Sequence, residues 1–112
     1  MAIVNEKLRD YPFLQDMFRD SYFPKPQVEK GRQILIALCE RIEAEKPRDL
    51  DALYALTHAA TTQFNDLAEE FADNGSEIET AARESIGMDI AFIAAAYGFE
   101  ADVEELIAPR DW

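Results

Sequence analysis

From Gln27 to Tyr97 the apolar residues recur at steps of three and four, and Pro47 and Asn74-Gly75 are the breaks in the pattern. Such spacing lines one stripe of a helix. The stretch is therefore bound to fold as successive helices that bury their stripes against one another. The first runs from about Gln27 to Glu45, with Val28, Gly31, Leu35, Leu38 and Ile42 on the stripe and Ile34 and Cys39 widening it. Pro47 ends it, and Asp49 is placed to cap the next. The second helix, Leu50 to Asp73, sends Leu53, Leu56, Ala60, Phe64, Leu67 and Phe71 inward. Asn74-Gly75 stops it, since both residues tolerate the left-handed conformation of a helix end. Ser76-Glu77-Ile78-Glu79 reads as a capping box that opens a third helix. That helix ends near Tyr97, where Gly98-Phe99 has the form of a Schellman closure. Its portion from Ile90 to Tyr97 is apolar all round, which predicts burial on several sides.

Shorter pieces flank these helices. Pro12 suits the first turn of a short helix with Phe13, Leu14, Met17 and Phe18 on its apolar face, and Phe23-Pro24-Lys25-Pro26 breaks it. A last short helix falls near Asp102 to Ile107, followed by Pro109-Arg110-Asp111-Trp112. No strand pattern, repeat or linker interrupts the series. The expected fold is all-α: an antiparallel helical bundle of three long helices with short flanking helices, forming one helical domain over residues 1–112. A chain of this length removes roughly 65% of its unfolded surface from water, so a core forms without staples.

Charge separates the two halves. Residues 1–56 carry nine Lys/Arg and ten Asp/Glu, a balance of −1; residues 57–112 carry Arg83 and Arg110 against thirteen acids, a balance of −11. Such a field repels phosphate backbones and anionic lipid, so neither nucleic acid nor a membrane surface is an expected partner. It attracts a basic protein, or serves only to keep the chain soluble. No segment has the apolar length of a membrane-spanning helix. Met1 to Glu6 lacks the basic and apolar regions of a secretory signal, which points to the cytoplasm.

Chemistry-bearing residues are few. Cys39, the one cysteine, sits in the apolar run Ile34 to Cys39 and reads as a small buried hydrophobe. The carboxylates Glu77, Glu79, Glu84 and Asp89 read as solvated, with Glu79 and Arg83 in the four-residue order of a helical ion pair. Paired Glu-x-x-His elements and HExxH are absent, so neither a metal site nor a cofactor is expected. Ala52 to Asn65 is unusual in holding no formally charged residue with His58 neutral. Opposite its apolar stripe, Tyr54, His58, Thr61 and Asn65 line up at helical spacing, with Glu69 one turn on. Uncharged hydrogen-bonding groups there imply a covered face. Either helix contacts cover it, or it is a polar pocket with His58 as acid–base group or ligand. Trp112 anchors the tail or stands out as a docking residue. The N-terminal aromatics either close one end of the bundle or form a homodimer patch, so the chain is expected as a monomer or a homodimer.

Five stretches together resemble a family of short, all-helical bacterial proteins of unknown function, DUF5713. They are Tyr11 to Met17, Tyr22 to Lys25, Leu53 to His58, Gly75 to Glu84 and Ala108 to Trp112. The resemblance implies no activity, cofactor or catalytic residue. Two functional expectations stand: a noncatalytic acidic protein-interaction or regulatory protein, and a small-molecule-binding protein or enzyme with its pocket near Tyr54, His58, Thr61 and Asn65.

Overall fold

The computed structural model describes residues 3–112, with helices α1 (Gln15–Arg19), α2 (Lys25–Glu45), α3 (Leu50–Asp73), α4 (Thr80–Ala96) and α5 (Val103–Leu106). α1 does not start at Pro12 as expected, because Leu14 turns left-handed ahead of it. No strand occurs among the described residues. α2 begins slightly earlier than its apolar period indicates, because Pro26 is accepted in the first turn, where its missing N–H would have had no partner. The Asp49 carboxylate caps α3 by accepting the Ala52 N–H at 2.9 Å. Both predicted glycine stops form. Gly75 (φ 77°) and Gly98 (φ 86°) are left-handed, and the residue after each donates back into its helix: Ser76 to the Phe71 carbonyl and Phe99 to the Ala94 carbonyl, each at 2.9 Å.

The capping box does not form. The Ser76 N–H already closes α3, and its buried hydroxyl has no hydrogen-bond partner. The chain needs three more residues before α4 can start, so Glu79 becomes the cap residue, with no side-chain cap bond. No ion pair joins Glu79 to Arg83, whose buried Nε is unpaired. The apolar run on α4 departs from expectation as well. Ile90, Ile93 and Ala94 are buried, but Phe92 and Ala95 face solvent.

α2 and α3, joined through residues 46–49, make the principal pair of the core. α4 leans on α1, α2 and α5 and touches α3 little, because α5 sits between the two. The N-terminal aromatics close one end: Phe13 and Phe23 are buried, and Phe23 meets Phe71 edge to face at 6.2 Å. Cys39 lies at zero exposure against the core, and burial, reinforced by the nearby Glu43 charge, pushes its thiol up to about 12.

Gly31 is the tightest of the glycine positions. A Cβ there would lie 2.9 Å from Leu14 Cδ1 and 3.1 Å from Phe64 Cε1. Gly87 looks similar in sequence but has room, its nearest neighbours being Val103 Cγ2 at 3.4 Å and Ile107 Cδ1 at 3.5 Å. Gly31→Val should therefore cost about 2–3 kcal/mol by overpacking. Gly87→Ala should be neutral or stabilising by up to ~1 kcal/mol from helix propensity. Denaturant unfolding of both variants checks the contrast, and equal effects would contradict it.

Candidate functional site

The uncharged line of α3 is occupied by the chain's own C-terminal segment. His58 Nε2 lies 2.6 Å from the Glu105 carbonyl, which can only accept, so Nε2 carries the proton. The Tyr54 and His58 rings stack nearly parallel, 5.8 Å apart. The Thr61 hydroxyl donates to the Thr57 carbonyl at 2.8 Å and faces the Leu106 carbonyl at 3.5 Å. Asn65 uses both ends of its amide: Nδ2 donates to the Pro109 carbonyl, and Oδ1 accepts the Asp111 N–H, each at 3.0 Å. The structure thus brings Tyr54, His58, Thr61 and Asn65 together on one face of α3. There α5 and the tail engage His58, Thr61 and Asn65, of which only Thr61 is buried, and half-buried Tyr54 joins them through its stack on His58. Glu69 is exposed and stands outside this set. The tail ends on Trp112, which meets Phe64 edge to face at 6.4 Å, in the anchoring arrangement.

Two carboxylates that the sequence presents as ordinary surface groups hold the N-terminal segment. Glu43 accepts the Val4 and Asn5 N–H groups at 3.0 Å and the Tyr97 hydroxyl at 2.5 Å. Burial works to raise its pKa, but those three donors outweigh it and hold the group below the usual carboxylate value. Asp89 is 7% exposed; it accepts the Leu14 N–H at 2.7 Å and the Tyr11 hydroxyl at 3.2 Å. Here burial wins over both donors, with the Asp16 charge adding to it, and the carboxyl is held above its ordinary value. Asp89 is thus not a solvated acid of α4. The signal was its place among Ile86, Ile90 and Ile93 on the buried stripe.

Beside Asp89 lies the largest apolar exposure on a helix. Met88 is 71% exposed, and Phe92, one turn further, is 36% exposed and stacks on Tyr11 at 4.5 Å. Met88 forms a ridge between two depressions. One, of about 470 Å³, has Tyr11, Ala91 and Phe92 for apolar walls and Asp16 and Asp89 for acidic ones. The other, of about 170 Å³, runs between α4 and α5 over Gly87, Val103 and Ile107, with Glu84 and Glu104 facing Arg83 and Arg110.

These features define an all-helical protein whose polar helix face is engaged by its own C-terminal segment and whose apolar α4 face is left open. The chain belongs to DUF5713, a family of unknown function, whose sequence model matches residues 7–112. No curated protein and no solved structure matches it. Among the described residues, no helix is long and apolar enough to cross a membrane.

Asn65→Ala removes both tail bonds and should cost about 1–2 kcal/mol. Because Trp112 is the one tryptophan, its emission should shift to the red and become more quenchable by acrylamide; unchanged emission would show that Asn65 does not hold the tail. At Asp89, Ala leaves the Leu14 N–H buried and unpaired and should cost about 2–3 kcal/mol. Asn can still accept that N–H while its amide turns to the Tyr11 oxygen. A carboxyl held above its unfolded value costs stability while charged, and that cost fades as pH falls through the raised value. Asp89→Asn should thus be at least as stable as the native chain at neutral pH, with the difference shrinking on acidification. Unfolding curves across the acid range read this sign directly.

Proposed function

We propose that this chain is a noncatalytic protein-interaction module that recruits a basic protein partner in the bacterial cytoplasm. The observation that carries the reading is the placement of charge: a balance of −11 over residues 57–112, with most of the acids at exposed positions. A surface of that sign steers a cationic partner and sets the rate and salt dependence of its association. The alternative, a small-molecule or enzymatic pocket at Tyr54, His58, Thr61 and Asn65, has less support. Much of the polar capacity such a pocket would offer is engaged: His58 Nε2 on the Glu105 carbonyl, Thr61 on the Thr57 carbonyl, and Asn65 on the Pro109 carbonyl and the Asp111 N–H.

Native mass spectrometry of the tagged protein, recovered gently from its own host, separates the two readings. The interaction reading expects a basic protein that is released by raised salt. It also expects affinity for that partner to fall about tenfold when Glu77, Glu79 and Glu84 are replaced by Gln. A small molecule that co-purifies with the native chain and is lost in His58→Ala would instead establish the pocket.

A further inference from the structure

The open face of α4 has features that general acidity does not explain. A helix in a small protein normally turns charged residues outward, as α2 does with Lys25, Lys30, Arg41 and Glu45. α4 instead turns out Met88, Phe92 and Ala95, with Ala91 partly exposed, between two grooves. Among the described residues, the other exposed large hydrophobics, Val4, Tyr22 and Leu50, lie on other segments of the chain. Methionine is flexible and polarisable, and it adapts to varied apolar partners.

Building on the acidic-interaction reading, we infer that the Met88–Phe92 face is the docking surface, and that its occupant is an amphipathic helix with one apolar stripe flanked by lysine or arginine. Charge complementarity selects this occupant. A ridge between two grooves matches a helix whose apolar side chains recur at steps of three and four, straddling Met88. The groove walls add carboxylates at the height such a helix's flanking residues would reach: Asp16 on the Tyr11 side, Glu84 and Glu104 on the α5 side. Arg83 and Arg110 offset the α5 side, where Arg110 already pairs with Glu104 at 3.1 Å. The acid excess is therefore greater beside Asp16, and the partner's cationic edge lies there. The rings of Tyr11 and Phe92 in the same cleft add aromatic faces that attract a cation. A second copy of this chain is the poorer occupant, because it brings another −12 of net charge to the contact.

The probe is a synthetic helical peptide of leucine and lysine, with leucines at steps of three and four. Its controls are the same design with glutamate for lysine, and a lysine peptide without leucines. Methyl-labelled methionine gives the readout, since Met17 is buried and Met88 exposed. The expected result is a Met88 methyl signal that shifts on titration with the leucine–lysine peptide while the Met17 signal stays in place. The glutamate peptide should not bind. The lysine-only peptide should bind at least tenfold more weakly, and Met88→Ser with Phe92→Ser should weaken the leucine–lysine peptide by a similar factor. Asp16→Asn should weaken it more than Glu104→Gln does. Salt-sensitive binding that is equal for the native and doubly substituted chains would overturn this surface while leaving the acidic-interaction reading intact. Failure of the leucine–lysine peptide to bind at all would remove the surface. So would a native chain that is a dimer and becomes monomeric on the double substitution, since the face would then belong to a second copy.

Discussion

The hydrogen bond from the Leu14 N–H to Asp89 pins the irregular N-terminal segment to α4 through a buried carboxylate. Leu14 stands in the left-handed region (φ 58°), an uncommon conformation for a branched side chain. It is held there at both ends: its N–H enters the Asp89 carboxylate on α4, and its side chain fills the space left by the missing Cβ of Gly31 on α2. Tyr11 reaches the same carboxylate and lays its ring on Phe92. The irregular N-terminal segment thereby becomes a strap across α2 and α4, and Glu43 repeats the device at its other end with Val4 and Asn5. In each case a carboxylate gathers backbone N–H donors and so fixes an irregular stretch to a helix.

Much of this architecture was legible in the residue pattern. α3 falls at Leu50 to Asp73 as its stripe, its Asp49 cap and its Asn74-Gly75 stop indicate. What the pattern could not show was competition for the same atoms. Ser76 has the spacing of an N-cap, yet its backbone N–H was needed to close the preceding helix, and local motifs do not reveal which of two adjacent helices takes the residue. Asp89 was hidden for a different reason. An acid on an apolar stripe contradicts the simple rule of buried hydrophobics, and the donors that stabilise it arrive from residues more than seventy positions earlier in the chain.

The candidate site shows the same division. Tyr54, His58, Thr61 and Asn65 were legible as a covered polar face, because a solvated helix surface would have carried charge. What covers it was not, since the partners are backbone carbonyls of α5 and the tail, and these carry no side-chain signature. The open face of α4 was masked by its own composition. A run that is apolar all round reads as burial everywhere, whereas the chain supplies neighbours for only part of its circumference.

Cys39 gives the fold a chemical consequence. With its thiol pushed up to about 12 and its side chain at zero exposure, almost no thiolate exists at neutral pH, and none is within reach of a reagent. Cys39 is shielded from oxidants and alkylating agents as long as α2 stays seated. The one sulfhydryl therefore acts as a clock: it reacts only as fast as the bundle opens around it.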